Sequence, residues 1–176
     1  MTDGRITIRK QKFEDSVGLY EAVRESIIEI SRWADWAHNG YKIEETEKWL
    51  KASLKLWDLK REYHFSIVEN ANGKILGGCG LMQLDARNRI ANLGYWVRTG
   101  NTGMGVATSA VKLLVKFGFE ELELERIELT ISPENAVSRR VAEKAGAVYE
   151  ATLRNRIRFH DRQHDSLIFA IFHPEY

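Results

Sequence analysis

The chain has 176 residues, of which 44% are hydrophobic and 29% charged, and its net charge at pH 7 is +1. This composition predicts one globular domain over residues 1–176, and the small net charge gives no reason to expect a nucleic-acid partner. No run of about 18 apolar residues indicates a membrane span. The opening MTDGRITIRK has no apolar signal core, so we expect a cytoplasmic protein. Cysteine and histidine show no metal-ligand spacing, and Cys79 lies in an apolar stretch typical of a core strand.

The hydrophobic periodicity predicts a mixed α/β (α+β) fold. In chain order we predict a strand at 6–9, helices at 15–30 and 44–58, strands at 64–69, 75–84 and 88–97, a helix from 106, a strand at 126–131, a helix at 133–145, and strands at 148–158 and 166–172. The last two strands flank a polar turn at 160–163. This order, β-α-α-β-β-β-α-β-α-β-β, favours a sheet rich in antiparallel pairs.

The stretch LGYWVRTGNTGMGVATSAVKLLVKFGF, from Leu93 to Phe119, carries the strongest functional signal. Aromatic and β-branched residues suit a strand up to Val97, and three glycines then follow within six residues, Gly100, Gly103 and Gly105. From Val106 the apolar residues recur at helical spacing. A glycine turn at a helix start presents unpaired N–H groups and the positive end of the helix dipole, which is a suitable seat for phosphate.

The charge pattern agrees with an anion site. No Asp or Glu occurs between Asp85 and Glu120, whereas that interval contains Arg and Lys residues. The turn is not a P-loop, because Val106 and Ala107 stand where Lys and Ser or Thr are needed. A GxGxxG fingerprint starting at Gly103 would require glycine at Thr108. From these residues alone, an anion site and a plain strand-to-helix connection both remain open.

Thr102-Gly103-Met104-Gly105-Val106-Ala107 resembles the Gln/Arg-x-x-Gly-x-Gly/Ala pyrophosphate loop of the GNAT superfamily of acetyl-CoA-dependent N-acetyltransferases. The preceding LGYWV resembles the strand that carries the pantetheine arm. The segment ISPENAVSRRVAEKAGAVYEATLR is similar to the RimL/RimJ branch, which acetylates N-terminal amines of ribosomal proteins. The resemblance extends over essentially the whole chain, and it implies a GNAT fold whose sheet is mostly antiparallel with two splayed strands.

The resemblance also implies where acetyl-CoA would bind. The strands at 88–97 and 126–131 would diverge, and the pantetheine amides would complete their unpaired backbone groups. The chain departs from the family pattern at Thr102, where Gln or Arg is usual, so we expect a single hydroxyl hydrogen bond there. The implied cofactor contacts are Tyr95, Trp96, Val97, Thr102, Gly103, Met104, Gly105, Val106, Ala107, Thr108, Asn135 and Ser138.

Two residues have implied catalytic roles. The backbone N–H of Val97 would hold the charge that develops on the thioester oxygen, and Ser138 would protonate or hydrogen-bond the departing thiolate. Asn135 would bond the pantetheine arm. Taken without the resemblance, Asn135 and Ser138 are more typical of residues that cap a helix.

The general base is not evident from the sequence. Many relatives carry Glu in the motif AEIGYW, where this chain has Asn92, and an amide cannot accept the proton. Asp85, Glu25 and His38 are candidate substitutes, although each is more typical of a structural or surface residue. An α-amine, with a pKa of about 7.7–8.0, needs less help from a base than a lysine amine near 10.4. The missing carboxylate therefore favours an α-amine or another amine of low pKa.

The acceptor side is predicted from SRWADWA, which resembles the tryptophan pair lining the acceptor cleft of RimL-like enzymes. Its periodicity makes Trp33 more typical of core and Trp36 the better pocket residue. Asp85 and Asn92 complete the predicted acceptor site, and an alternating row of arginines at 154, 156 and 158 could attract an anionic acceptor.

The leading prediction is an N-acetyltransferase that acts on a protein N-terminus. Acetylation of a polyamine, amino acid or aminoglycoside, and a non-catalytic acyl-CoA sensor, remain alternatives, and a homodimer is left open.

Overall fold

The computed structural model describes residues 1–174, and their strands form one seven-stranded sheet in the order β1-β2-β3-β4-β5-β7-β6. The strands are β1 (Ile6–Lys10), β2 (Tyr63–Glu69), β3 (Ile75–Asp85), β4 (Ile90–Val97), β5 (Arg126–Ile131), β6 (Val148–Phe159) and β7 (Arg162–Phe172). The helices are α1 (Ser16–Ile30), α2 (Ile43–Asp58), α3 (Val106–Leu122) and α4 (Ala136–Ala145). The predicted element order and the predicted mixed, mostly antiparallel sheet are confirmed.

Two predicted boundaries were wrong by three or more residues, each for a local reason. Helix α4 begins at Ala136 rather than at Pro133, because the Asn135 side chain caps the helix and the preceding residues form a turn. The last hairpin turns at His160 and Asp161, whose φ angles are +51° and +56°, so β7 begins at Arg162. Such left-handed pairs form the tight two-residue turns that match strand twist.

The sheet is covered on both faces, which gives the two faces different surroundings. Helix α3 contributes Val111 and Leu114 to the main core, where they join β5 residues such as Ile127. On the other face, Leu19 of α1 and Leu50 of α2 pack together. Alternation along β4 therefore sends Leu93 and Tyr95 toward α3 and α4, and Trp96 toward α1 and α2.

Strands β4 and β5 are the one parallel pair within residues 1–174, and they separate after a short contact. Their register covers Ile90, Ala91 and Asn92 of β4 and ends where Asn92 lies opposite Glu128. Leu93–Val97 continues beside β3 but has no strand on its other side. The middle of the sheet therefore opens as a fork, which is the divergence that the sequence resemblance implied.

Candidate functional site

The fork exposes backbone groups of β4. The Arg98 N–H donates to the Leu76 carbonyl at 2.6 Å, so Arg98 and Leu76 form a hydrogen-bonded pair of the β3–β4 ladder. In an antiparallel ladder such pairs alternate, and the residues between them direct N–H and C=O the other way. Since the register is continuous, the peptide groups of Tyr95 and Val97 face the open side of the fork. A ligand with amides can pair with them as an added strand would.

The glycine loop lies directly beyond this edge. Gly103 and Gly105 have φ angles of +74° and +80°, and a Cβ built on either residue would meet no atom within 4 Å. Within the described chain, no acceptor pairs with the N–H groups of Gly103, Gly105, Val106 and Ala107. The first helical bond here is donated by Ser109 to the Gly105 carbonyl. The loop thus presents several free donors at the positive end of α3.

The structure changes the expectation for Thr102. Its hydroxyl donates to the Thr99 carbonyl at 2.8 Å, so in this arrangement the proton is used within the loop and not offered to a ligand. The positively charged side chain at the loop is that of Arg5, whose Nη1 donates to the Met104 carbonyl at 2.6 Å. This contact could not be predicted from the sequence, because the two residues are 99 positions apart.

Helix α1 holds the segment between β4 and the glycine loop. One Glu25 carboxylate oxygen lies 3.0 Å from Arg98 Nη1, and the other accepts from the Gly100 N–H at 3.1 Å. Ser26 Oγ accepts from the Thr99 N–H at 2.9 Å. Acidic groups therefore reach this loop in space although the sequence interval around it contains none. Both Glu25 oxygens are occupied, which leaves it unsuited to the role of general base.

Helix α4 closes the same side of the fork. The Asn135 side-chain oxygen accepts from the Ser138 N–H at 3.0 Å, which is the capping geometry. The Tyr95 hydroxyl is buried beside Ser138 but forms no hydrogen bond of good geometry. Burial raises the pKa of Tyr95, and the nearby Ser138 opposes this rise only in part. Tyr95, Asn135 and Ser138 are thus brought together at one end of the gap.

Aromatic rings line the opposite face. Trp36 is 44% exposed, and its ring makes edge contacts with Tyr41 and Trp96, each with centroids 6.1 Å apart. The Trp96 side chain therefore lies on the α1 and α2 face of the sheet, with the predicted acceptor residue Trp36 and away from the other predicted cofactor contacts. Trp33 is half-buried beyond the end of α1 and belongs neither to this aromatic group nor to the buried core. The expectation that Trp33 is core was wrong, because α1 ends at Ile30.

Asn92 stands at the base of the fork. Its side-chain oxygen accepts from the Thr130 hydroxyl at 3.2 Å, which joins β4 to β5 just where the strands part. The carboxylate opposite, Glu128, is held by Arg126 Nε at 2.7 Å. The residue that replaces the usual glutamate is therefore in the expected place, but it ties the strands together and offers no free carboxylate.

The other proposed bases lie elsewhere. Asp85 is the last residue of β3, at the far end of β4 from Val97, and accepts from the N–H groups of Arg87 and Asn88 in the turn that follows. These bonds, with Asn88 first, hold the pKa of Asp85 below its ordinary value. His38 pairs with Glu45 at 3.0 Å on the exposed segment between α1 and α2. The structure does not bring Asp85 to the predicted acceptor site.

The β6–β7 hairpin contacts the segment between α1 and α2. The His160 N–H donates to Asp35 at 2.8 Å, and its Nε2 lies 2.7 Å from the Ser31 carbonyl. A surface cavity of about 340 Å³ lies between the hairpin tip and the α1–α2 segment. The register of β6 shifts between Leu153 and Ile157, with Asn155 in a left-handed conformation. This bulge breaks the predicted alternation of the arginine row at 154, 156 and 158.

Within residues 1–174, no group of three or more His, Cys, Asp or Glu side chains is placed to hold a metal ion. Burial raises the pKa of the Cys79 thiol far above its ordinary value, which makes it a poor nucleophile. Among residues 1–174, none of the helices has the length and hydrophobicity that a membrane span requires.

Comparison with known proteins agrees with this geometry. The sequence model of the acetyltransferase (GNAT) domain matches residues 5–148. The "probable N-acetyltransferase" YjcK of Bacillus subtilis is 30% identical over 92% of this chain and 89% of its own length. The ribosomal-protein-serine acetyltransferase of Escherichia coli is 21% identical over 86% of this chain and 84% of its own length.

A solved structure shows the same fold. The ribosomal-protein-S5-alanine acetyltransferase of Vibrio fischeri superposes with a TM-score of 0.89 at 18% identity, covering 99% of this chain and 97% of that one. At this identity the likeness concerns the fold alone. Together with the family match over residues 5–148, it shows that the chain belongs to the GNAT family of acetyltransferases.

Proposed function

We propose that this protein transfers the acetyl group of acetyl-CoA to the α-amine of a protein N-terminus. The observation that carries the proposal is the continuous run of open backbone donors, from the fork edge at Tyr95 and Val97 to the glycine loop at Gly103–Ala107. An anionic ligand with an amide-bearing arm satisfies both parts at once. Relatives that are named for ribosomal-protein acetylation support the choice of acceptor.

The residues present fit coenzyme A. At the loop, the N–H groups are free and no atom lies within 4 Å of a Cβ built on Gly103 or Gly105, which leaves space for phosphate oxygens. The unpaired edge of β4 suits the pantetheine amides. The side chain of Asn135 still has its NH₂ group free to donate toward the arm while its oxygen caps α4. The bound thioester would supply the activated acetyl group.

The protein's own groups then act on either side of that thioester. The Val97 N–H faces the fork and would donate to a carbonyl oxygen placed there. Ser138 is half-buried at the first turn of α4 and would donate a proton or hydrogen bond to the leaving sulfur. Because a thiol has an ordinary pKa of about 8.5, we expect Ser138 to contribute tenfold to a hundredfold at most.

The environment of Asn92 favours an amine of low pKa. Asn92 accepts from Thr130, and the carboxylate opposite it, Glu128, is ion-paired through Oε1 with Arg126, so neither residue offers an unpaired carboxylate at the base of the fork. An α-amine is partly neutral at pH 7, whereas a lysine amine is almost wholly protonated. A site without a strong base therefore works better on N-terminal amines than on lysines. Trp36 and Trp96 would form the wall against which the acceptor lies.

The test is an acetyl-transfer assay with a thiol-detecting reagent. The acceptors are peptides with a free N-terminus, the same peptides with a blocked N-terminus and one internal lysine, and a set of polyamines, amino acids and aminoglycosides. We expect thiol release with the free peptides, with the mass of one acetyl group on the α-amine. Release with small amines alone would favour a small-molecule acetyltransferase, and binding of acetyl-CoA without release on any acceptor would contradict the proposed activity.

A further inference from the structure

We infer that Glu25 is a positioning residue that aligns the acyl-CoA site by bridging the Arg98 side chain and the Gly100 backbone. This inference rests on the proposed function, because the site it aligns is the one assigned above to acetyl-CoA. We call the contacts of Glu25 with Arg98 and Gly100 the Glu25 bridge.

The bridge lies between the two open parts of the site. Val97 is the last residue of β4, and its peptide group faces the fork. Arg98 follows directly, and the free donors begin at Gly103. Any rotation of the backbone at 98–100 would therefore change both the direction of the Val97 peptide and the position of the loop.

The anchoring is specific to one helix face. The Arg98 side chain is only 7% exposed, so its charge needs a partner, and Glu25 is its one carboxylate partner within residues 1–174. Its Nη2 also lies 3.4 Å from the Gly18 carbonyl of the same helix. Ser26 accepts from the Thr99 N–H, and Glu29 accepts from the Thr99 hydroxyl at 2.9 Å. Helix α1 thus supplies every side-chain contact to the backbone N–H groups of 99 and 100.

The space around Gly100 matches this role. A Cβ built on Gly100 would lie 2.9 Å from the Glu25 carboxylate oxygen, and no other atom lies within 4 Å of it. The φ angle of Gly100 is not in the left-handed region, so glycine is not required there by conformation. A side chain at this position would therefore displace the Glu25 carboxylate without straining the backbone.

The test compares Glu25→Gln with Glu21→Gln. Glu21 is exposed on the same helix and has no partner in the described chain, so its variant controls for loss of one negative charge on α1. Glutamine keeps one acceptor oxygen but has an NH₂ donor in place of the other, so it can accept from Arg98 or from Gly100 but not from both. It also leaves the buried guanidinium without a counter-charge. For Glu25→Gln we expect the KM for acetyl-CoA to rise fivefold or more and kcat to fall, with the KM for the acceptor peptide unchanged. Glu21→Gln should stay within twofold of wild type.

Amide hydrogen exchange of the ligand-free protein provides a second readout. Exchange in Glu25→Gln should increase at 97–107 and stay at the wild-type level in β2 and β3. If Glu25→Gln does not fold, Gly100→Ala displaces the carboxylate without removing a charge, and it should show the same local increase. An acetyl-CoA KM within twofold of wild type, or an exchange increase spread evenly over the sheet, would overturn the inference. Failure of wild type to bind acetyl-CoA would refute the proposed function alone, since exchange needs no ligand.

Discussion

At the scale of single residues, the effect of a glycine's backbone conformation can be distinguished from its effect on ligand binding, because two glycines share a conformation but only one lies in the glycine loop. Gly105 and Gly73 both adopt left-handed φ angles, +80° and +72°, and neither has an atom within 4 Å of a built Cβ. Gly73 lies in the turn between β2 and β3, whereas Gly105 precedes the first residue of α3. The same substitution at the two positions therefore imposes the same kind of backbone strain, but only one of them is at the proposed anion site.

We predict that Gly105→Asp raises the dissociation constant of acetyl-CoA at least tenfold, or about 1.4 kcal/mol. The added carboxylate would stand among the free donors at the start of α3 and repel a diphosphate. Calorimetric titration measures the constant. The matched control, Gly73→Asp, should leave it within twofold of wild type, and an unchanged constant in Gly105→Asp would remove this loop from the site.

The sequence could predict the loop because its signal is local. Glycine spacing and the change to helical periodicity both lie within a short segment, as does the departure at Thr102. Contacts made by distant residues carry no such signal. Ser26 and Thr99 are 73 positions apart, as are Glu25 and Arg98, and the absence of acidic residues near the loop in sequence suggested a purely basic surrounding. The tertiary structure overrides that pattern by bringing α1 against the loop.

At the scale of elements, the start of α4 combines a structural and a proposed binding role in one side chain. The Asn135 oxygen caps the helix by accepting from the Ser138 N–H, while its NH₂ group is free. Sequence reasoning left both roles open, because capping residues and ligand-binding residues are of the same types at a helix start. Substitution of Asn135 by aspartate distinguishes the two roles, because an ionised aspartate can cap a helix but cannot donate a hydrogen bond to a ligand.

We predict that Asn135→Asp keeps the stability of the fold but weakens acetyl-CoA binding threefold or more. Asn135→Ala should weaken binding and also cost about 1 kcal/mol of stability through loss of the cap. For a protein of this size, that cost lowers the melting temperature by about 2–4 °C. Thermal unfolding and titration of both variants measure the two effects. Wild-type affinity in Asn135→Asp would show that the residue is a cap only.

The order of the elements was predictable, and the extent of strand pairing was not. The hydrophobic periodicity predicts the positions of β4 and β5 in the sequence. It does not predict that their pairing ends at Asn92 and Glu128. Twist and the packing of α3 and α4 determine that point, and it was expected only through the family resemblance. The bulge at Asn155 was missed for a similar reason, because a left-handed residue inside a polar strand leaves the periodicity nearly unchanged.

At the scale of the whole molecule, Asp15 joins the N-terminal strand, the next strand of the sheet and the start of α1. Its side chain is 6% exposed and accepts from both guanidinium nitrogens of Arg9 in β1, at 2.6 and 2.8 Å. It also accepts from the Ser66 hydroxyl in β2 at 2.8 Å and from the Lys12 N–H at 3.0 Å. Burial by itself raises the pKa of Asp15, but these bonds, led by Arg9, outweigh it and hold the pKa below the ordinary 3.8.

The sign of the resulting pH dependence follows from this lowered pKa. The folded protein binds the Asp15 proton more weakly than the unfolded chain, so the ionised carboxylate stabilises the fold at pH values above about 4. That stabilisation is lost as the pH falls below the ordinary value of 3.8 and through the folded pKa. Other carboxylates with lowered pKa, such as Glu150, contribute to the same acid limb. Substitution of Asp15 should therefore reduce, but not abolish, the loss of folding stability at acidic pH.

We predict that Asp15→Asn lowers the free energy of unfolding by about 2 kcal/mol at pH 7, a value reduced from that of a fully buried pair because Arg9 is 34% exposed. At pH 3 the wild-type carboxylate is closer to neutral, so the difference between wild type and variant should shrink. Denaturant titrations at both pH values measure it. Asp58→Asn is the control, since Asp58 is 73% exposed in its pair with Lys10 and should change stability little at either pH. A difference for Asp15→Asn that is the same at pH 7 and pH 3 would mean that the Asp15 charge does not hold these three elements together.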